Sequence, residues 1–61
     1  MPAAATKLKE AGNEHFKAQR YREAIESYTD AIAVAGDPAM APKATSALYS
    51  NRAQAHIRME A

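Results

Sequence analysis

Residues 8–35 read LKEAGNEHFKAQRYREAIESYTDAIAVA, and this stretch decides the fold. Its apolar side chains recur at spacings of three and four residues, which predicts two amphipathic helices packed along one side. Gly12 lies inside the first stripe, where glycine costs about 1 kcal/mol relative to alanine. We therefore expect a neighbouring helix to approach closely there, in an antiparallel helix pair that binds rather than catalyses. The first stripe comprises Leu8, Ala11, Gly12, His15 and Phe16, and the second comprises Ala24, Ile25, Tyr28, Ala31, Ile32 and Ala35.

The remainder of the chain predicts a third helix after a loop. Gly36 and Pro38 mark the end of the second helix, because glycine favours the left-handed C′ conformation and proline cannot continue a helix. Residues 37–41 are interpreted as the loop. Pro42 is interpreted as the first turn of the next helix, a position that proline favours.

These signals predict an all-α chain with helices over about residues 6–18, 21–35 and 43–60. Residues 1–5 are predicted to be a flexible N-terminus, with Thr6 as the N-cap of the first helix. The turn between the first two helices has no glycine for its C′ position, so we expect it to be either less tight or slightly strained. The third helix carries a wide apolar stripe that no later helix of these 61 residues covers. The stripe consists of Leu48, Tyr49, Ala53, Ala55, His56, Ile57 and Met59.

Composition narrows the class of function. The chain has 61 residues, no cysteine, two histidines and a net charge of +1. It therefore has neither a thiolate metal site nor the concentrated basic face typical of nucleic-acid binding. No apolar run approaches the roughly 18 residues that span a membrane. The absence of cysteine and of a secretory signal is compatible with the cytosol or the nucleus, and we expect a cytoplasmic protein. No nucleophile, paired-carboxylate or phosphate-loop motif is present, so we expect neither an enzyme nor a cofactor.

The spacing in this stretch resembles the 34-residue tetratricopeptide repeat. Leu8, the Ala11–Gly12 pair and His15, followed by Ala24, Tyr28 and Ala31 at the repeat's spacing, carry the resemblance. LYSNRAQAHI, residues 48–57, is similar to the first helix of a second repeat. The resemblance implies a partial tetratricopeptide domain over residues 6–61, a fragment of an α-solenoid.

A closer resemblance is to the co-chaperones that hold the acidic C-terminal peptide of heat-shock chaperones. It rests on the stretches KEAGN (9–13), FK (16–17) and LYSNRA (48–53). In those proteins a carboxylate clamp of five side chains holds the terminal carboxylate and last aspartate. The resemblance implies clamp roles for Lys9, Asn13 and Asn51 and a groove role for Phe16. The other two clamp residues belong to a third repeat, which these 61 residues do not include.

Two further residues are secondary candidates for the peptide site. Lys17 continues the side of the first helix that carries Phe16. Gln54 stands three residues after Asn51, where the family usually has a small residue.

The residues themselves support this interpretation in part. Lys9 and Asn13 are four apart and so share a helix face, where an ammonium and an amide can donate to a carboxylate. Lys9 is equally compatible with an ordinary solvated lysine. Asn13 and Asn51 are poor helix formers in mid-helix, and the alternative for each is a bond to the neighbouring backbone.

Two functions remain open from the sequence. The first is an interaction module that binds the C-terminal peptide of a heat-shock chaperone. The second is a structural unit that dimerises or exchanges a helix through the exposed apolar face of its last helix. His15 and His56 fall in apolar stripes, so packing is favoured over metal binding or catalysis for both.

Overall fold

The computed structural model describes residues 3–35 and 42–60. These residues form three helices in chain order: α1 (Ala3–Lys17), α2 (Tyr21–Ala35) and α3 (Pro42–Glu60). The predicted all-α, tetratricopeptide-like helix-turn-helix with a third helix is confirmed. Pro42 is the first residue of α3. The predicted stop at Gly36 and the loop over residues 37–41 lie outside the described residues.

The N-terminal boundary of α1 differs from the prediction. Ala3 to Ala5 form the first turn of α1, and Ala5 is completely buried. The prediction of a flexible segment is therefore wrong for these three alanines, and Thr6 lies within α1 rather than at its N-cap. Alanine has the highest helix propensity of all residues, and burial of Ala5 adds to the stability of this first turn.

The turn between α1 and α2 is a Schellman motif with glutamine in the glycine position. Gln19 has a φ of 64°, the left-handed conformation that favours glycine. The amide of Gln19 donates to the carbonyl of Phe16 at 3.0 Å, and the amide of Arg20 donates to the carbonyl of His15 at 2.8 Å. These are the two hydrogen bonds that define the motif, so the turn is closed although its C′ residue is strained.

α1 and α2 approach each other most closely at Gly12. A Cβ atom placed on Gly12 would lie 2.5 Å from Cε1 of Tyr28, a distance that real Cβ atoms do not tolerate. The ring of Tyr28 therefore packs directly on the backbone of α1, and Tyr28 is only 1% exposed. The expectation that glycine serves a close helix approach is confirmed.

α2 lies between the other two helices and packs against both. Its buried side chains join two from α3 in one core, and the partly buried apolar side chains of α1 and α2 surround them. The core consists of Ala24, Tyr28, Ala31, Leu48 and Ala55. Both apolar stripes predicted within residues 8–35 face this core, where their members are buried or half-buried.

The buried face of α3 is a narrow part of the predicted stripe. Leu48 and Ala55 are completely buried, and Asn51 and Arg52, one turn between them, are half-buried. The other members of the stripe are exposed, in keeping with the expectation that no later helix covers it: Tyr49, Ala53, His56, Ile57 and Met59. Ile57 lies on the side of α3 opposite Leu48 and Ala55, whereas Met59, four residues after Ala55, lies on their side. Within the described residues, no further helix covers them.

Arg52 adds a polar link between α2 and α3. Its Nη1 donates to Oγ1 of Thr29 at 3.3 Å, and its guanidinium lies 5.1 Å from the ring centroid of Tyr49. Both contacts are near solvent and therefore contribute modestly. Among the described helices, none is long and apolar enough to cross a membrane.

Candidate functional site

An open pocket of about 210 Å³ lies between α1 and α3, with α2 beneath it. α1 contributes its C-terminal half, α2 contributes one aromatic ring, and α3 contributes two polar side chains from adjacent turns. The lining residues are Asn13, Phe16, Lys17, Tyr28, Asn51 and Gln54. We call this pocket the α1–α3 groove.

The structure brings most of the sequence-predicted site residues together in this groove. Asn13, Phe16 and Asn51 line it, as do both secondary candidates, Lys17 and Gln54. The two asparagines reach the same cavity because α2 carries the chain back and sets α3 beside α1. Their role in binding stays a prediction, but their placement around one cavity does not depend on it.

Lys9 is the one principal candidate that does not line the groove. It is half-buried and lies four residues before Asn13, hence one turn along the same face of α1. A lysine side chain is long and flexible, so Lys9 can act on a ligand only if that ligand extends beyond the groove toward the N-terminus of α1.

Tyr28 is a groove residue that the sequence analysis treated as core only. Its hydroxyl donates a hydrogen bond to Oδ1 of Asn13 at 2.6 Å. Burial raises the pKa of the phenol, so the hydroxyl, which is protonated at neutral pH in any case, remains a donor to higher pH than an exposed tyrosine does. The sequence places Tyr28 in an apolar stripe, and only the packing of its ring on Gly12 brings the hydroxyl to Asn13.

The hydrogen bond leaves the Asn13 side chain with donors to offer. A neutral amide has one acceptor oxygen and two N–H donors, and Tyr28 occupies the oxygen. Asn51, across the groove, is half-buried and makes no side-chain hydrogen bond within the described part of the chain. The N–H donors of Asn13 and the whole amide of Asn51 therefore line the cavity without a hydrogen bond to another described side chain.

Phe16 is supported from behind by a second aromatic ring. The centroids of Phe16 and Tyr21 are 5.3 Å apart, with an angle of 76° between the ring planes. Edge-to-face pairs of this kind are favourable beyond their buried area. The contact fixes an apolar surface at the end of the groove near the α1–α2 turn.

The charge at the groove is positive. Lys17 lines it, and its Nζ lies 3.9 Å from Oε1 of Glu14, with both side chains 76% exposed. An ion pair this exposed contributes little, so Lys17 can turn toward a ligand at small cost. Among the described residues, no acidic side chain lines the groove. A carboxylate is the ligand group that these donors fit.

Within residues 3–35 and 42–60, no group of three histidine or acidic side chains is placed to hold a metal ion. The groove is lined by amide, ammonium, phenol and phenyl groups, which bind by hydrogen bonding, charge and apolar contact.

Several known proteins are similar to nearly the whole of this chain. The chain is 41% identical over 58 residues to protein unc-45 homolog B of Mus musculus, covering 95% of this chain and 6% of that protein. It is 41% identical over 56 residues to serine/threonine-protein phosphatase 5 of Solanum lycopersicum, covering 92% of this chain and 9% of that protein. These relatives contain tetratricopeptide repeats. The comparisons support the tetratricopeptide-repeat family.

A third relative is also similar to this chain over most of its length. The DnaJ homolog subfamily C member 7 homolog of Schizosaccharomyces pombe is 40% identical over 55 residues, covering 90% of this chain and 10% of that protein. The chain thus spans a tenth or less of the length of these three relatives. No family model and no solved structure matches the chain. The relatives support a chaperone-related protein-interaction module.

Proposed function

We propose that the chain binds the acidic C-terminal peptide of a heat-shock chaperone in the α1–α3 groove, through a carboxylate clamp. The observation that carries the proposal is the convergence of Asn13, Asn51 and Lys17 on one cavity that no described acidic side chain lines. Capture of a C-terminal carboxylate by such donors is an established mode of peptide recognition.

Each groove residue has a role that follows from its placement. The amides of Asn13 and Asn51 donate to the terminal carboxylate from opposite sides, and Lys17 adds a charge-assisted contact. Phe16 supplies apolar surface for a side chain of the peptide. Lys9, outside the lining, contacts an acidic side chain further along the peptide.

Gln54 sets the end of the site on α3. It lines the groove one turn beyond Asn51, where the resembling proteins usually have a small residue. A glutamine there reduces the space for a large apolar C-terminal side chain and offers an amide in its place. We expect peptides with a short or polar side chain at that position to bind better than those with a bulky one.

The relatives support the proposal at the level of the interaction class. One is a homolog of a DnaJ protein by name, and all three align over nearly the whole of this chain. The resemblance maps three of the five clamp positions onto these 61 residues, so we expect them to bind weakly. The proposal includes a non-enzymatic role and a cytoplasmic location.

The test is a titration of the ¹⁵N-labelled chain with a peptide that ends in Glu-Glu-Val-Asp, followed by NMR. We expect millimolar-range binding, which NMR measures readily, with the largest shifts at groove residues. Asn13→Ala combined with Asn51→Ala should abolish it. Binding that survives the double substitution would rule out the clamp.

A matched pair of lysine variants tests the charge contribution. Lys17→Ala should weaken peptide binding about fivefold, the equivalent of about 1 kcal/mol for one charge-assisted contact. Lys7→Ala removes an equally charged, exposed lysine of α1 that does not line the groove, so its affinity should stay at the wild-type value.

A second candidate function is self-association through α3. Ile57 is 66% exposed, and Tyr49 and Met59 on the same helix are nearly half exposed. Tyr49 and Ile57 lie about 80° apart around the helix axis and together form an exposed apolar face of the kind that a two-fold dimer buries. Light scattering over a concentration series tests it: a dimer that Ile57→Glu dissociates supports the candidate, whereas a strict monomer at high concentration excludes it.

A further inference from the structure

The link between Tyr28 and Asn13 joins the core of the molecule to the α1–α3 groove. Tyr28 is almost completely buried, yet its hydroxyl reaches a groove amide at 2.6 Å. The ring can reach Asn13 only because Gly12 has no side chain, as the 2.5 Å approach to a Cβ there shows. Gly12, Asn13 and Tyr28 therefore form one structural unit.

The orientation of the Asn13 amide matters for any ligand. With Oδ1 turned to Tyr28, as it is here, the two N–H donors of Asn13 are available to the groove. Rotation by 180° would present the oxygen to the ligand instead and would repel a carboxylate. It would also leave the Tyr28 hydroxyl proton without its acceptor, and a buried donor without a partner is strongly disfavoured.

We propose that Tyr28 is a positioning residue: its hydroxyl fixes the Asn13 amide with N–H toward the groove, which makes the groove selective for a carboxylate over a carboxamide. This inference rests on the proposed function and adds how the selectivity arises. The raised pKa of the phenol supports it, since a deprotonated Tyr28 could no longer donate to Asn13.

The first experiment uses NMR to measure the orientation of the Asn13 side-chain amide in the absence of any peptide. In the ¹⁵N-labelled chain, the side-chain NH₂ of Asn13 should show NOEs to Phe16 and a shift distinct from that of a freely rotating asparagine. In Tyr28→Phe, which keeps the ring against Gly12, the NH₂ signal should move toward the random-coil position and these NOEs should weaken. An Asn13 signal that is unchanged in Tyr28→Phe overturns the inference, whether or not a peptide binds.

The second experiment compares two peptides that differ in one group. One ends in a free carboxylate and the other has the same sequence with a C-terminal carboxamide. Tyr28→Phe should lower the affinity for the carboxylate peptide about fivefold, the scale of one oriented hydrogen bond, and leave the carboxamide peptide unchanged. Equal losses for the two peptides would show that the hydroxyl has a packing role only.

A double-mutant comparison separates positioning from general structure. In an Asn13→Ala background, Tyr28→Phe should have no further effect on carboxylate affinity, because there is no amide left to orient. A further loss there contradicts the inference. Tyr49→Phe is the matched control, since it removes an exposed hydroxyl outside the groove and should change neither affinity nor the Asn13 signal.

These outcomes distinguish this inference from the proposed function. If the wild-type chain binds neither peptide, or binds both equally, the carboxylate clamp fails, and with it the selectivity. The peptide-free NMR comparison still decides whether Tyr28 fixes the Asn13 amide.

Discussion

The contact between α1 and α2 differs in kind from the contact between α2 and α3. At the first, an aromatic ring packs on bare backbone at Gly12 and its hydroxyl bonds to the next residue. At the second, Leu48 and Ala55 are the buried ones among the α3 side chains over residues 46–60, with Arg52 bonded to Thr29 near solvent. The groove therefore has one side held by close backbone packing and another held by a narrow side-chain stripe.

This difference bears on function because the two asparagines lie on opposite sides of the groove. Asn13 is fixed to the core through Tyr28, whereas Asn51 lies on α3, whose outer face is exposed. We infer that the α1 side is preorganised for a ligand and that the α3 side is the one a mutation or a partner shifts first. Preorganised donors lose less conformational entropy on binding.

The largest loss of folding stability is expected from a substitution of Leu48 in α3. Leu48→Ala removes the only large apolar side chain of α3 that is buried among the described residues. It should destabilise the fold by about 3 kcal/mol, as large-to-small core substitutions do. Urea unfolding followed by circular dichroism measures it. Ile57→Ala on the exposed face is the control, and a loss from it as large as that from Leu48→Ala would mean that the outer face is buried after all.

The next effect tests the close approach of α1 and α2. Gly12→Ala places a Cβ against the Tyr28 ring and should cost about 2 kcal/mol by overpacking. The same substitution in a Tyr28→Leu background, without the ring, should instead stabilise by up to about 1 kcal/mol through helix propensity. Thermal unfolding of the wild type, the two single variants and the double variant measures the effect of Gly12→Ala with and without the ring. A cost that persists without the ring would argue against ring contact as its cause.

A smaller effect, of opposite sign, is expected at the α1–α2 turn. Gln19 has a left-handed conformation, so Gln19→Gly should stabilise the fold by about 1 kcal/mol by relieving backbone strain. Gln54→Gly makes the same change in the interior of α3, where it should destabilise by about 1 kcal/mol. Opposite shifts in melting temperature are predicted, and shifts of the same sign would contradict the Schellman geometry.

The smallest effect concerns the polar link between α2 and α3. Arg52→Ala removes the hydrogen bond to Thr29 and the contact with the Tyr49 ring. Because both lie near solvent, the cost should be below about 1 kcal/mol. Arg58→Ala, an exposed arginine further along α3, should cost nothing measurable in the same denaturation assay. A loss from Arg52→Ala comparable to that from Leu48→Ala would show that the polar link, rather than the stripe, secures α3.

Local signals in the sequence predicted the helices, whereas the position of one helix beside another was not visible in it. The periodic stripes within residues 8–35 and Gly12 determined the helix pair, since helical period and a costly glycine are local signals. Pro42 likewise located the start of α3. The placement of Asn13 and Asn51 in one groove followed from the resemblance, because no spacing in the sequence shows which helix lies beside which.

Three features depended on packing and so escaped prediction. The start of α1 at Ala3 follows from burial of Ala5, which a short alanine run does not reveal. In α3 the apolar residues surround much of the helix, so periodicity could not identify the stripe with Leu48 as the one facing α2. Tyr28 was predicted as core from its position, and its hydroxyl became part of the groove only through three-dimensional proximity to Asn13.

The central claim is that the α1–α3 groove binds a free C-terminal carboxylate. The most direct measurement is a paired NMR titration of the wild-type chain with the Glu-Glu-Val-Asp peptide as free acid and as C-terminal amide. We expect saturable shifts of the side-chain amides of Asn13 and Asn51 with the free acid, and at least about fivefold weaker binding of the amide form. Equal binding of the two peptides, or shifts confined to the outer face of α3 at Tyr49 and Ile57, would contradict the account.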